Sequence, residues 1–324
     1  MSTSLIKEFR LWLDRYQALG RRLLALVTIF VFLFLLWYAG RAFLAGEYDL
    51  ATLLAQIRWQ GFLLIFLLYA LALVLAVWVW GSMMGQMAPP VPWVNHWYIY
   101  ITTGVTRRLP GSLWHVAGRA VLYQPFGIPK RAIAVVSGLE VVLMMISGAF
   151  VLLLTWPVIA SQLTGFWQAG LILLGLLIAV MTLFHPATWQ RLRTLSSHST
   201  ADGTPLSPWL VLLWLLTYSL MWVLGGMILL LLAISFQPLS WQGWVGVIGA
   251  WALGGLAGLL IMILPSGLGV SELSMVLILS FYMPPPVATL VAIGSRLSIT
   301  LYELLIALIT WLIPLIHRRI TRKY

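Results

Sequence analysis

The chain contains no cysteine and very few charged residues. Of its 324 residues, 8% are Asp, Glu, Lys or Arg, whereas 62% are hydrophobic. The absence of cysteine excludes disulfide bonds, cysteine-ligated zinc or iron–sulfur sites and thiol catalysis. The scarcity of charge excludes an ordinary soluble domain, because no soluble fold buries so large an apolar fraction.

Long apolar runs predict an all-α polytopic integral membrane protein. A transmembrane β-barrel would show short segments in which apolar and polar residues alternate. Seven candidate spans are each long enough to cross about 30 Å of hydrocarbon, and they are 22–44, 61–84, 132–156, 166–184, 209–235, 243–264 and 287–313. We expect one transmembrane domain over 22–316, an interfacial amphipathic helix at 1–21 before it and a basic cytoplasmic tail at 317–324 after it.

Basic residues are distributed unevenly between the spans. They concentrate in 1–22, 107–131, 185–208 and 317–324. The positive-inside rule therefore places both termini in the cytoplasm, so the number of crossings should be even. We expect eight crossings of the cell (cytoplasmic) membrane, with 267–283 as a short eighth span and 97–122 as a re-entrant or interfacial element. The net charge of +11 then indicates contact with anionic lipid headgroups, and we expect no nucleic-acid partner.

Two proline–glycine breaks interrupt the apolar sequence. The first contains Pro110 and Gly111, and the second contains Pro265, Gly267 and Gly269. A broken helix in lipid leaves backbone groups without hydrogen-bond partners, so such a break is tolerated where it lines a cavity or a pathway. We therefore expect the functional site near these two breaks.

Each break is followed by charges inside an apolar run. Arg119 and Glu140 follow the first break, and Glu272, Arg296 and Glu303 follow the second. An isolated charge at the bilayer centre costs at least ~2.5–3.5 kcal/mol, so these groups should pair or face water. One interpretation is a structural ion pair, either Arg296 with Glu303 or Glu140 with Arg296. The other is a site for a lipid headgroup or a protonatable carboxylate.

Arginines also flank the first break, with Arg107 and Arg108 before it and Arg119 after it. A helix that starts after Pro110 would present N–H groups and a positive dipole end to an anion, and arginine binds phosphate bidentately. Ordinary anchoring at the cytoplasmic surface is the alternative. Glu272 has a simple interpretation as well, since a carboxylate stabilises the N-terminus of a helix.

The two breaks have the same spacing to later residues. In the first half Pro129 follows Pro110 by 19 residues and Glu140 follows Pro129 by 11. In the second half Pro284 follows Pro265 by 19 residues and Arg296 follows Pro285 by 11. Matching interrupted segments indicate an internal, inverted repeat with a transport site at its interface. Chance is the alternative, because the sequence identity between the halves is low.

Enzyme motifs are missing from the sequence. It has no P-loop, no His-Glu-x-x-His helix and no Gly-x-Ser-x-Gly elbow, and its five histidines have no metal-binding spacing. We therefore expect neither catalytic residues nor a metal or other cofactor.

Three motifs around the breaks carry a family resemblance. They are Arg108-Leu109-Pro110-Gly111 with a following Arg119, Gly127-Ile128-Pro129 leading to Glu140, and Pro265-Ser266-Gly267-Leu268-Gly269-Val270-Ser271-Glu272 followed by Arg296. With them the chain resembles the flippase-like membrane domain of the lysylphosphatidylglycerol synthetase/flippase family over most of 60–313. The third motif is the most specific, and Ser266 departs from it where glycine is common.

The resemblance implies a lipid translocase that moves an anionic or zwitterionic lipid, a phospholipid or a polyprenyl-phosphate-linked glycan, between leaflets. We expect a headgroup site formed by Arg107, Arg108, Arg119, Glu140, Glu272, Arg296 and Glu303. In the resistance factors of this family a soluble aminoacyl-transferase domain accompanies the membrane domain. We do not expect that domain here, since the chain ends at Tyr324 shortly after the last span. The alternative function is a non-transporting membrane partner of a glycosyltransferase or other lipid-modifying enzyme.

Overall fold

Helices make up the fold in the computed structural model, which describes residues 26, 29–42, 44–45, 59–108, 114–162, 207–260 and 268–321. Within these residues there is no strand. The helices are α1 (Ile29–Ala42), α2 (Trp59–Met87), α3 (Trp93–Gly104), α4 (Trp114–Leu122), α5 (Lys130–Ala160), α6 (Pro208–Phe236), α7 (Trp241–Leu260), α8 (Val270–Leu279) and α9 (Pro285–Thr321). A short 3-10 turn at Val105–Arg108 follows α3, and another at Gln124–Phe126 connects α4 to α5.

Five of these helices, α2, α5, α6, α7 and α9, are long and apolar enough to cross a membrane. The prediction of an all-α polytopic membrane protein is thereby confirmed. These five coincide with the predicted spans 61–84, 132–156, 209–235, 243–264 and 287–313. The predicted span 166–184 and the predicted amphipathic helix at 1–21 lie outside the described residues, and α1 covers the described part of 22–44. Helix α9 continues to Thr321, into the predicted tail.

Both interrupted segments contain short helices. Segment 97–122 folds as the end of α3, a 3-10 turn and α4. The nine residues of α4 and the ten of α8 extend only about 14 and 15 Å, roughly half of the hydrocarbon thickness. Helix α8 alone therefore does not form the eighth crossing that we expected over 267–283. It ends in a turn closed by the N–H of Met283 on the carbonyl of Leu279 at 3.0 Å, before α9 begins at Pro285.

Glycines allow α7 to approach its neighbours closely. Helix α7 packs against α5, α6 and α8. A Cβ atom on Gly254 would lie 2.8 Å from the backbone oxygen of Ser271 in α8, and one on Gly226 of α6 would lie 2.9 Å from the Cα atom of Ile248 in α7. Small residues at such crossings bring helix backbones together where no hydrophobic effect drives association. The glycine of α7 thus positions the short helix α8 against a long one.

A buried hydrogen-bonded chain attaches α3 and the α4–α5 connection to α2. The indole N–H of Trp80 donates to the hydroxyl of Tyr123 at 2.8 Å, and that hydroxyl lies 2.6 Å from Nδ1 of His96. Burial lowers the pKa of His96, so the neutral form of its ring is favoured. Burial also raises the pKa of Tyr123 to about 12, and the phenol therefore remains a donor at neutral pH.

The close contact of α7 with α8 predicts a large difference between two glycine-to-alanine substitutions. Gly254→Ala places a methyl group 2.6 Å from Cγ of Met275 and 2.8 Å from a backbone oxygen, and overpacking of this kind costs about 1–3 kcal/mol. The thermal midpoint of the detergent-solubilised protein, followed by size-exclusion chromatography after heating, should fall. Gly138→Ala is the control, because its methyl group would have nothing within 4 Å. An equal midpoint for the two variants would contradict the packing assignment.

Candidate functional site: two ion pairs beside a cavity

Glu140 accepts hydrogen bonds from three residues. Its side chain on α5 is 2% exposed. Nη1 of Arg119 on α4 donates to Oε2 at 2.6 Å, and the hydroxyl of Tyr100 on α3 donates to Oε1 at 2.7 Å. Nη2 of Arg107, in the 3-10 turn, lies 3.3 Å from the same Oε1. One carboxylate therefore joins three segments that surround the first break.

The two arginines on Glu140 have different environments. Arg119 is 0% exposed, and its guanidinium carbon lies 3.8 Å from the ring centre of Trp80 and 4.4 Å from that of Tyr100. Its Nε and Nη2 have no hydrogen-bond partner among the described residues, so the two aromatic faces supply the remaining stabilisation. The side chain of Arg107 is 32% exposed. Arg119 is thus enclosed by the protein, whereas Arg107 is accessible.

A second ion pair forms beside the second break. Glu272 on α8 is 0% exposed, and its Oε1 accepts a hydrogen bond from Nη1 of Arg296 on α9. Its Oε2 accepts the N–H of Gly269 at 2.5 Å, which caps the helix. Gly269 has φ of +84°, a conformation that favours glycine because it has no Cβ. Glu272 therefore stabilises the start of α8, as its position in the sequence predicted, and also pairs with α9.

The two ion pairs have the same arrangement with opposite charges. In the first half the short helix α4 carries the cation Arg119 and the long helix α5 carries the anion Glu140. In the second half the short helix α8 carries the anion Glu272 and the long helix α9 carries the cation Arg296. Each pair joins a short helix to the long helix that follows it. One of the two structural pairs considered from the sequence, Glu140 with Arg296, would instead have joined the two halves, whereas Glu140 pairs with Arg119 and Arg296 pairs with Glu272.

A cavity of about 420 Å³ lies between the two halves. Residues of α5 and α9 line it, and so do residues of α2, α4, α6, α7, α8 and the 3-10 turn. Arg107, Glu140 and Glu303 are the charged residues on its wall, and Arg107 and Glu303 also border an adjoining cavity of about 150 Å³. The larger volume falls within the range of about 300–1,000 Å³ that is typical of small-molecule sites.

The remaining predicted site residues lie around this wall. Arg119 is enclosed behind Glu140, and Glu272 and Arg296 pair with one another next to Ser271, which itself lines the cavity. The side chain of Arg108 and four residues of the breaks lie outside the described residues, the four being Pro110, Gly111, Pro265 and Gly267. Across the described chain, no group of three or more His, Cys, Asp or Glu side chains is arranged to hold a metal ion.

Aromatic residues of the site were not predicted from the sequence. Tyr100 bonds Glu140, and Tyr218, Trp222 and Trp251 line the cavity. In a chain with 18 tryptophans and 11 tyrosines, such residues cannot be distinguished by pattern from those that pack in the core or face lipid. Tyr100 alone had a usable signal, since it lies in the polar segment that contains Arg107.

Removal of Arg119 should strongly destabilise the protein. Arg119→Met leaves Glu140 buried without its closest cation, and breaking a buried pair from one side costs about 3–5 kcal/mol. The double variant Arg119→Met with Glu140→Gln should recover most of this loss, because no buried charge is left without a partner. Arg131→Gln is the surface control, since this residue in the first turn of α5 is exposed. Thermal midpoints in detergent measure all three. A double variant no more stable than the single one would contradict this assignment.

Comparison with known proteins gives no assignment for this site. No protein-family model matches the chain, and no curated protein matches it. The resemblance to the lysylphosphatidylglycerol synthetase/flippase family therefore rests on the short motifs at the two breaks. The chemistry of the cavity is the independent basis for a function.

Proposed function

We propose that this protein is a lipid translocase whose cavity carries a polar headgroup across the cytoplasmic membrane, with both termini of the chain in the cytoplasm. The observation that supports this most directly is Arg107. Its side chain, which is 32% exposed, lies on the wall of a cavity within a bundle of membrane-spanning helices and is bonded to the buried Glu140. Charged groups that line a cavity inside such a bundle are typical of substrate pathways.

The depth of the charges supports a pathway through the membrane. Glu140 lies ten residues after the start of α5 at Lys130, which corresponds to about 15 Å along the helix axis. This is half of a typical hydrocarbon thickness of about 30 Å. A headgroup that contacts Arg107 and Glu140 would therefore have left the interface and reached the interior of the bilayer.

The two arginines on Glu140 would have separate roles. Arg119 is fully enclosed and sits between two aromatic rings, so it keeps the carboxylate ionised and holds α4 against α5. Arg107 contacts the same carboxylate at the longer distance of 3.3 Å and is accessible from the cavity. A phosphate group of an anionic or zwitterionic lipid can exchange with Glu140 on Arg107, because a guanidinium binds phosphate as well as carboxylate.

Replacement of Arg107 should slow lipid translocation in proteoliposomes. Fluorescent phospholipids, and a polyprenyl-phosphate-linked lipid in a parallel preparation, are followed by the fraction that an impermeant quencher reaches with time. A hydrogen bond to a charged group contributes about 1.5–3 kcal/mol, so Arg107→Gln should reduce the rate by about tenfold or more. Arg131→Gln, which changes an exposed arginine outside the cavity, should retain the wild-type rate.

Two results would overturn the translocase proposal. The first is a wild-type protein that moves no lipid of the panel faster than protein-free vesicles. That result would favour the alternative function, a membrane partner of a glycosyltransferase or other lipid-modifying enzyme. The second is an Arg107→Gln variant with the full rate, since translocation would then not use this cavity.

A further inference from the structure

We propose that the cavity recognises a zwitterionic headgroup, in which a phosphodiester contacts Arg107 and an organic cation lies against an aromatic and carboxylate wall. This inference rests on the proposed function and names the substrate class of the same site. Its aromatic wall consists of Tyr69, Tyr218, Trp222 and Trp251, all of which line the cavity together with the carboxylates of Glu140 and Glu303. Aromatic faces combined with carboxylates are the groups that bind ammonium ions.

Trp222 is held in a fixed position on this wall. Its indole N–H, on α6, donates to the backbone oxygen of Met144 in α5 at 3.0 Å. A Cβ atom on Gly255 of α7 would lie 2.2 Å from its ring, and one on Gly148 of α5 would lie 2.7 Å from it. Neither glycine has a positive φ, so backbone conformation does not require them. Both glycines instead leave room for the ring of Trp222 between three helices.

The ring of Trp251 is also accommodated by a glycine of a neighbouring helix. Its ring, on α7, lies where a Cβ atom on Gly225 of α6 would approach to 2.2 Å. Glycine within a helix costs roughly 0.5–1 kcal/mol relative to alanine, and here three such positions accommodate two indole rings at one cavity. Rigid rings lose little conformational entropy when a ligand binds, which favours affinity. The aromatic wall is therefore organised before any ligand arrives.

The charges on the wall distinguish a zwitterion from an anion. Among the described side chains, the fixed charges at this site are Arg107 and the enclosed Arg119 against Glu140 and Glu303, and they sum to zero. Arg107 interacts electrostatically with both carboxylates. When a purely anionic headgroup engages Arg107, Glu140 keeps Arg119, but the interaction of Arg107 with Glu303 is weakened and nothing replaces it. A zwitterion supplies a cation to that carboxylate, so every charge keeps a partner.

Tyr218 provides a further polar group at the cavity. The residue is 1% exposed, and its hydroxyl has no hydrogen-bond partner among the described residues. A buried hydroxyl without a partner is costly, and a phosphodiester or ester oxygen in the cavity would accept its proton. Tyr218→Phe should therefore weaken ligand binding while it leaves the packing of the ring unchanged.

Three soluble phosphodiesters test the headgroup class by isothermal titration in an uncharged maltoside detergent. Glycerophosphocholine and glycerophosphoethanolamine carry an ammonium group, whereas glycerophosphoglycerol has the same phosphodiester without one. The wild-type protein should bind both zwitterions about tenfold more tightly than glycerophosphoglycerol, a difference of ~1.4 kcal/mol. Equal affinities, tighter binding of glycerophosphoglycerol, or no measurable binding of any of the three would overturn the inference.

Variants test separately the contacts at the cationic end and at the phosphodiester end of the ligand. Glu303→Gln and Trp251→Leu should remove most of the preference for the zwitterions, while Arg107→Gln should weaken all three ligands alike. Trp241→Leu is the matched control for Trp251→Leu, because Trp241 is on the same helix, is 70% exposed and lies outside the cavity lining. Thermal midpoints confirm that each variant is folded. A preference that Glu303→Gln and Trp251→Leu leave intact would contradict the assigned wall.

A competition experiment with lipids tests whether the headgroup belongs to a membrane lipid, and its outcome distinguishes this inference from the translocase proposal. Soluble glycerophosphoethanolamine should slow the translocation of fluorescent phosphatidylethanolamine in proteoliposomes, since both would occupy one cavity. Faster movement of phosphatidylglycerol than of phosphatidylethanolamine would overturn the headgroup class and leave translocation intact. Selective binding of the soluble zwitterions without movement of any lipid would leave the headgroup class intact and overturn translocation.

Discussion

The need to neutralise Glu140 inside an apolar bundle determines much of this structure. The carboxylate lies on a helix that is long and apolar enough to cross a membrane and is 2% exposed, and an uncompensated charge there is very costly. Three hydrogen-bond donors from α3, α4 and the 3-10 turn converge on it. All three donors come from the described part of the polar segment 97–122, so its two short helices pack beside the one charge that they compensate.

In the second half a charge on a long helix is again neutralised, but the signs of the charges on the long and short helices are exchanged. Arg296 on the long helix α9 is the costly charge there, and the short helix α8 supplies Glu272, which also bonds the N–H of Gly269 at its own N-terminus. In both halves a short helix contributes a counter-charge to the long helix that follows it. Since each pair is satisfied within its half, the space between the halves is not needed for neutralisation and can remain a cavity.

Sequence reasoning reached the class of the protein and the charges that lie at or next to the cavity, but not the partners of these charges. Long apolar runs are sufficient to predict a helical membrane protein, and the charges beside the breaks stand out because they interrupt these runs. The partners of Glu140 depend on how α3 and α4 pack against α5, and residue spacing in the sequence does not give that packing. For the same reason α8 was expected to cross the membrane, although a turn at Met283 ends it after ten residues. The role of Trp222 depends on glycines of two other helices, so only the assembled bundle reveals it.

Under the proposed translocation, the unequal exposure of Arg107 and Arg119 lets one carboxylate contribute to both stability and exchange. If both arginines were enclosed, the charges would be permanently paired and no headgroup could reach them. If both were exposed, the loss of either partner during exchange would leave Glu140 uncompensated in a medium of low dielectric constant. With Arg119 enclosed between Trp80 and Tyr100, the carboxylate keeps one cation while Arg107 engages a phosphate. Arg107 contacts Glu140 at 3.3 Å, against 2.6 Å for Arg119, so its contact is the weaker of the two and the one that a headgroup would replace.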